Sequence, residues 1–364
     1  MKAFANPGEN LPATSLTGIS ASSEKDCILV ADFDRRYVRQ FNLQSKQSKI
    51  VYRAAPQRKP RAVLRLLYRP LMLEQDTNVE KIAIVELHQN SGASFLVIAS
   101  KDASETGPAG AGGEAEFQQS QEIALPEGSS SPVASVVDLP NGTLLCSVYN
   151  FHFIHEIGPQ MFGGFGGAGE YEMVTQHPLT AKFRCMAVGS SSHGTALIFV
   201  GLEDLTIRGL VWNEEMLVET MHFELSSEPL RFLWFPPSRH LLVHSRKANQ
   251  LSTDAYLYGR QPPGTGTGTA GGTATPAGGG TGRGTPAGTS TTGTLTGAGR
   301  GTGTGRAGAP RPASVADGDR LQSAGQAVDN VATVPTVSCW AFLPGRSNSV
   351  VLLDSQTSEL LEFK

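Results

Sequence analysis

Short apolar runs alternate with polar turns along most of the chain, and the same order of runs and turns recurs. Each copy has an apolar run, a turn containing Gly, Pro, Ser, Asn or Asp, a second apolar run, another turn and a third, alternating run. Turn-forming residues between alternating positions indicate antiparallel strands. The clearest copies are "LTGISASSEKDCILVADFDRRYVRQFNL" from Leu16, "PVASVVDLPNGTLLCSVYNFHFIHEIG" from Pro132 and "FRCMAVGSSSHGTALIFVGLEDLTIRGLVW" from Phe183.

These copies define repeated units that cannot each bury an apolar face alone. Their spacing of roughly 45 to 60 residues is typical of a repeated four-stranded sheet, and such sheets become stable when they pack radially. The sequence therefore predicts an all-β chain that folds as a single β-propeller domain over residues 1–364, with six four-stranded blades. The predicted blades lie near residues 13–54, 62–126, 131–180, 182–226, 228–260 and 333–364.

A Gly/Thr-rich, low-complexity segment interrupts this pattern at residues 261–332, between the predicted fifth and sixth blades. Glycines at 266, 268 and 271 match the spacing of a dinucleotide fingerprint, but such a motif needs a preceding strand, a following helix and a later acidic residue. Prolines precede the motif and more Gly and Thr follow it. We expect a mostly disordered insertion that binds no nucleotide, because it contains too few apolar residues to offset its ordering entropy.

The first unit resembles the repeat of NHL and lactonase-like propellers over residues 16–43. The similarity lies in a small-residue first strand, the segment "ILVAD" and an arginine-containing turn that leads into "V-x-x-F". The other units keep only the apolar skeleton, and none has the Gly-His and Trp-Asp pair of WD repeats. The resemblance implies that residues near Met1–Phe4 supply the outer strand of the last blade.

Lactonase-like propellers hold a divalent cation in a central channel through carboxylate and Asn oxygens. By this resemblance, one alternative function is a metal-dependent lactonase or esterase with a cation such as Ca²⁺. Its candidate ligands follow second strands or lie near their ends: Asp32, Glu86, Asn150 and Asp354.

Charge and composition narrow the function classes. The net charge of −3 argues against a general nucleic-acid binder, which needs clustered positive charge. RNA association remains a weaker alternative, through scattered arginines such as Arg283 and Arg300. With no secretory leader pattern and no apolar run of roughly 18 residues, we expect an intracellular monomer without membrane contact, cytoplasmic rather than nuclear. Its cysteines are expected to be buried free thiols: Cys27, Cys146, Cys185 and Cys339.

The sequence favours a noncatalytic scaffold that binds a protein partner without a cofactor. No G-x-S-x-G elbow or other usable catalytic constellation is present. In propellers, the loops between second and third strands crowd one face, and here they vary in chemistry. The predicted partner-binding residues are Asp34, Arg35, Arg36, Gln89, Asn90, Phe151, His152, Glu203, Asp204, Arg246 and Lys247. A basic run supplies a candidate anion-binding site at Arg58, Lys59, Arg61 and Arg65.

Overall fold

The strands predicted from the alternating pattern are present in a computed structural model of the chain. The structure describes residues 2–4, 16–24, 26–66, 79–102, 116–128, 130–131, 133–159, 170–190, 195–212, 217–248, 250–260, 319–323, 337–343, 349–354 and 360–363. Within these residues, no helix has the length and apolar character needed to cross a membrane. The strands in chain order are β1 (Lys2–Phe4), β2 (Leu16–Ala21), β3 (Cys27–Asp32), β4 (Tyr37–Asn42), β5 (Ser48–Arg53), β6 (Arg58–Arg65), β7 (Val79–His88), β8 (Ala93–Asp102), β9 (Gln118–Gly128), β10 (Ala134–Asp138), β11 (Leu144–Val148), β12 (Phe153–Pro159), β13 (Tyr171–Pro178), β14 (Phe183–Ser190), β15 (Ala196–Leu202), β16 (Thr206–Trp212), β17 (Leu217–Glu224), β18 (Glu228–Phe235), β19 (His240–Lys247), β20 (Gln250–Arg260), β21 (Asp319–Ser323), β22 (Val337–Leu343), β23 (Ser349–Asp354) and β24 (Leu360–Phe363).

The described strands form six antiparallel four-stranded sheets. Five sheets take four consecutive strands each, β2–β5, β6–β9, β10–β13, β14–β17 and β18–β21, and the sixth has the order β1-β24-β23-β22. The first strands contact one another in the order β2, β6, β10, β14, β18, β22 and back to β2. Repeated sheets whose inner strands form a closed ring are a β-propeller.

The ring is closed by both ends of the described chain. The N-terminal strand pairs with the last strand, and Lys2 lies opposite Glu362. The prediction that residues near Met1–Phe4 supply the outer strand of the last unit is therefore confirmed. The first and last described strands of the chain are therefore joined by strand hydrogen bonds within one sheet.

The apolar core lies between neighbouring sheets. One cluster joins the first and second sheets through residues such as Val38 and Ile84, and another joins the third and fourth through Leu145 and Ile198. Inner strands approach closely at Gly18, where a Cβ atom would lie 2.7 Å from the Cα of Ala62. Any larger residue at this position would push apart the first two sheets.

Buried Cys and Trp side chains also belong to this core. Cys27, Cys146 and Cys185 are buried free thiols, as expected, and burial raises the pKa of Cys146 to about 12. The side chain of Cys339 lies outside the described set. The indole of Trp340 in the sixth sheet donates a hydrogen bond to the Phe232 carbonyl of the fifth, at 2.9 Å. Tryptophan therefore contributes to packing between sheets.

The position of the Gly/Thr-rich insertion needs correction. Strand β21 pairs with β20, with Asp319 opposite Arg260, and completes the fifth sheet. The insertion thus connects the third and fourth strands of one sheet rather than two successive sheets, and residues 319–323 do not belong to it. Residues 261–318 lie outside the described set, so their predicted disorder stays a prediction. The second unit also begins earlier than predicted, because β6 starts at Arg58 rather than near residue 62.

Candidate protein-binding face

The turns between second and third strands share an unusual backbone feature. In the turns after β3, β7, β11, β15 and β19, one residue has a positive φ: Arg36 (63°), Gly92 (70°), Asn150 (74°), Leu205 (63°) and Ala248 (52°). Positive φ values are uncommon for non-glycine residues, so these turns are closely specified. Since the sheets share one strand order around the ring, the five turns lie on one face. We call it the turn face, together with the first residues of β6, β14 and β18.

Backbone hydrogen bonds hold these turns against the connections that follow the outer strands. The Arg36 carbonyl accepts from Ala54 N–H at 3.0 Å, the His152 carbonyl from Leu179 N–H at 2.7 Å, and the Leu205 carbonyl from Leu225 N–H at 2.7 Å. The same bond therefore recurs in the first, third and fourth sheets. A turn fixed in this way presents its side chains with little loss of backbone entropy on binding.

Most of the predicted partner-binding residues are displayed on this face. Arg35 is half-buried, and Phe151 is buried against the ring of His155, with ring centroids 6.1 Å apart. Phe151 is therefore a core residue and cannot contact a partner. The exposed members are Asp34, Arg36, Gln89, Asn90, His152, Glu203, Asp204, Arg246 and Lys247.

Sequence reasoning missed Leu205 on this face. Its side chain is 38% exposed at the tip of the turn after β15, next to Glu203 and Asp204. An apolar side chain displayed on a left-handed turn residue costs backbone strain that Gly or Asn would avoid. In the sequence, the feature that could have indicated Leu205 is its position directly after Glu203 and Asp204 and directly before the strand β16.

The basic run is divided rather than gathered into one site. Arg58 and Arg65 begin and end β6, which places them roughly 23 Å apart at the usual rise per residue. The Arg61 guanidinium is fully buried and donates to the Ser94 hydroxyl at 3.0 Å, and burial lowers its pKa to about 10. Arg65 donates to the Ser22 carbonyl at 3.3 Å near the opposite face. Only Arg58 and Lys59 lie at the turn face.

The residues considered as cation ligands contact arginines instead. Asp32 is fully buried, accepts a hydrogen bond from the Arg35 N–H at 3.1 Å and lies 3.6 Å from Arg39 Nε. The side-chain oxygen of Asn150 accepts from Arg184. Only the backbone of Asp354, at the end of β23, is described. Within the described part of the chain, no group of three or more His, Cys, Asp or Glu residues could hold a metal.

Glu86 likewise contacts neighbouring side chains of the chain itself. Its carboxylate is fully buried, accepts from the Tyr52 hydroxyl at 2.8 Å and lies 3.7 Å from Arg58 Nη1. Burial raises its pKa above the ordinary value, against the opposing effects of Tyr52 and Arg58. An arginine at each of three candidate ligands repels a cation, so these residues do not fit a divalent metal.

A network around Arg184 joins three consecutive sheets at the turn face. Arg184, in the fourth sheet, donates to Asn150 of the third and contacts Glu203 at 3.0 Å and Glu228 of the fifth at 2.8 Å. Its guanidinium also lies over the Tyr149 ring, 4.3 Å from the centroid. Sequence reasoning did not find this residue, because its neighbours in the network come from three separate parts of the chain.

Glu228 is the second centre of this network. Its oxygens accept from Arg246 at 2.6 Å and from the Tyr149 hydroxyl at 3.1 Å. Burial by itself would raise the pKa of Glu228, but these hydrogen bonds and the charges of Arg246 and Arg184 lower it below the ordinary value. Glu228 is therefore ionised at neutral pH and fixes the turn face where three sheets meet.

Comparisons with known proteins found similar solved structures but no matching family model or curated sequence. No protein-family model matches the chain. No curated protein matches its sequence. Similar solved structures include a chain of the mitotic checkpoint complex (12% identity, TM-score 0.47, covering 100% of this chain and 90% of that one). They also include the Myceliophteria thermophila Cps50 (Swd1) β-propeller domain (10%, 0.46, 95% and 82%) and Chaetomium thermophilum Raptor (10%, 0.48, 96% and 27%).

Proposed function

We propose that this protein is a noncatalytic β-propeller scaffold that binds a protein partner through its turn face. The observation that carries the proposal is the set of exposed side chains of mixed charge on five turns of closely specified backbone. Rigid display of varied polar and charged groups suits specific recognition, because little entropy is lost on binding.

Reversing charge at two separated turns tests the proposal. The Arg36→Glu/Lys247→Glu variant changes exposed side chains of the first and fifth sheets, neither of which is buried. Juxtaposed like charges cost several kcal/mol at an interface, so partner recovery in quantitative affinity purification should fall roughly tenfold or more. The full chain serves as bait, and unchanged thermal melting shows that the variant is folded.

The matched control is Lys46→Glu/Lys49→Glu. These substitutions make the same charge change at the opposite end of the first sheet. Lys46 lies in the turn between β4 and β5, and Lys49 lies at the start of β5. The control should recover the partner at the wild-type level. Equal recovery by both variants, or loss only in the control, would contradict a binding role for the turn face.

A further inference from the structure

Two separate sequence features meet at one corner of the turn face. Strand β5 ends at Arg53, which pairs across the sheet with Tyr37, and the next residue donates a backbone hydrogen bond to the Arg36 carbonyl. Lys59, from the second sheet, lies 3.3 Å from the Asp34 carboxylate. The turn after β3 and the start of the basic run thus form one surface. We call it the basic corner, defined as Arg35, Arg36, Arg53 and Lys59 with the rings of Phe33 and Tyr37.

Aromatic rings hold two of these cations in place. The Arg53 guanidinium lies over the Tyr37 ring, 5.1 Å from its centroid, and the Lys59 ammonium lies 4.6 Å from the centroid of Phe33. Contacts of this kind restrict long side chains before a ligand arrives. A guanidinium that is already oriented loses less entropy when it binds a carboxylate through two hydrogen bonds.

The corner is locally positive in a chain of net negative charge. These four cations and Arg39 lie near three carboxylates: Asp34 with Lys59, Glu116 with Arg53 at 3.5 Å, and Asp32 with Arg39 at 3.6 Å. Cations therefore outnumber carboxylates by two at this corner, whereas the whole chain carries −3. The Arg36 side chain is exposed and has no ion-pair partner among the described residues, and the Arg53 side chain is 54% exposed. These guanidinium groups remain accessible to an external anion.

We propose that the basic corner docks an acidic, Asp- or Glu-rich segment of the protein partner. This inference rests on the proposed function and specifies the chemistry of one part of the interface. The carboxylates of the segment pair with Arg36 and Arg53, and its backbone packs beside the rings of Phe33 and Tyr37. The cations come from three places in two neighbouring sheets, the turn after β3, the end of β5 and the start of β6. This distribution suits an extended peptide better than a single small anion.

The test uses a short fluorescein-labelled peptide of alternating Glu and Ser, with a Gln/Ser peptide as the neutral probe. The full chain should bind the acidic peptide and not the neutral one, as measured by fluorescence anisotropy. The Arg36→Glu/Arg53→Glu variant should weaken binding roughly tenfold or more. The control variant Lys46→Glu/Lys49→Glu makes the same charge change at the opposite end of the first sheet, and its affinity should remain within about threefold of the wild type.

Three outcomes would overturn the inference. They are no binding of the acidic peptide, equal weakening by both variants, and tighter binding of single-stranded RNA than of the peptide. The first two leave the proposed function standing if Arg36→Glu/Lys247→Glu still loses the natural partner. Retention of the natural partner by both Arg36→Glu/Lys247→Glu and Arg36→Glu/Arg53→Glu would reject the proposed function itself. The two failures are therefore distinguishable.

Discussion

Replacing Arg184 with alanine is expected to lower the free energy of unfolding by about 3 kcal/mol. The Arg184 side chain is almost fully buried and contacts Glu203 and Glu228, and its guanidinium lies over the ring of Tyr149. Its removal leaves the oxygens of Glu228 and Asn150 without their shared cation where three sheets meet. Chemical denaturation followed by circular dichroism measures the change.

Arg208→Ala is the matched control for Arg184. Arg208 lies in the same sheet and also contacts two carboxylates, Glu219 at 2.8 Å and Asp204 at 3.6 Å. Its carboxylate partners are exposed to solvent, and pairs of this kind contribute about 1 kcal/mol or less. Equal destabilisation by the two variants would show that the Arg184 network does not hold the sheets together.

Acidification from pH 7 to pH 5 is expected to cost about 2 kcal/mol of stability for each of two buried histidines. Burial lowers the pKa of His155 to about 4, and burial together with the charge of Arg231 lowers the pKa of His244 to about 4. Because the ordinary pKa is 6.5, the unfolded chain binds protons first. Stability is full above pH 6.5 and falls as the pH drops towards 4. Denaturation curves at several pH values measure the effect.

His155→Leu isolates one of these contributions. Neither ring nitrogen of His155 has a hydrogen-bond partner within the described residues, so the variant should also gain stability at pH 7, by about 1 kcal/mol or more. Between pH 7 and pH 5, the free energy of unfolding of the variant should fall by about 2 kcal/mol less than that of the wild type. Glu86 acts in the opposite direction, because its raised pKa favours the folded state on acidification, but it is common to both proteins. An unchanged pH dependence of the free energy of unfolding in His155→Leu would refute the assignment.

The alternating pattern predicted most strands because a strand's apolar residues and its flanking turn residues are close together in the sequence. Cys27–Asp32 and Ala196–Leu202 are short, apolar and bounded by turn residues, and they are strands in the structure. Asp319–Ser323 was missed because "DRLQS" has one apolar residue and follows a long insertion. Its strand conformation is set by pairing with β20, a contact distant in sequence.

The candidate site was predicted only in part, for a related reason. Exposed turn residues such as Asp34 and Lys247 follow from their place between two strands. Their partners do not, since Arg184 and Glu228 meet across sheets and Arg53 reaches Tyr37 only through the pairing of β4 and β5. Phe151 was assigned to the binding face because it lies in the loop between second and third strands, yet its side chain packs in a core cluster with residues of the second and third sheets. Contacts between sheets depend on register and closure, which a single pattern along the chain does not contain.

Cross-linking mass spectrometry of the complex purified from cells tests the binding role of the turn face most directly. Lysines mark both faces: Lys59, Lys182 and Lys247 belong to the turn face, whereas Lys46, Lys49, Lys81 and Lys101 lie at the opposite ends of the strands. The proposed function predicts that partner cross-links fall on the first group and are depleted from the second. Cross-links confined to Lys46, Lys49, Lys81 and Lys101 would contradict it.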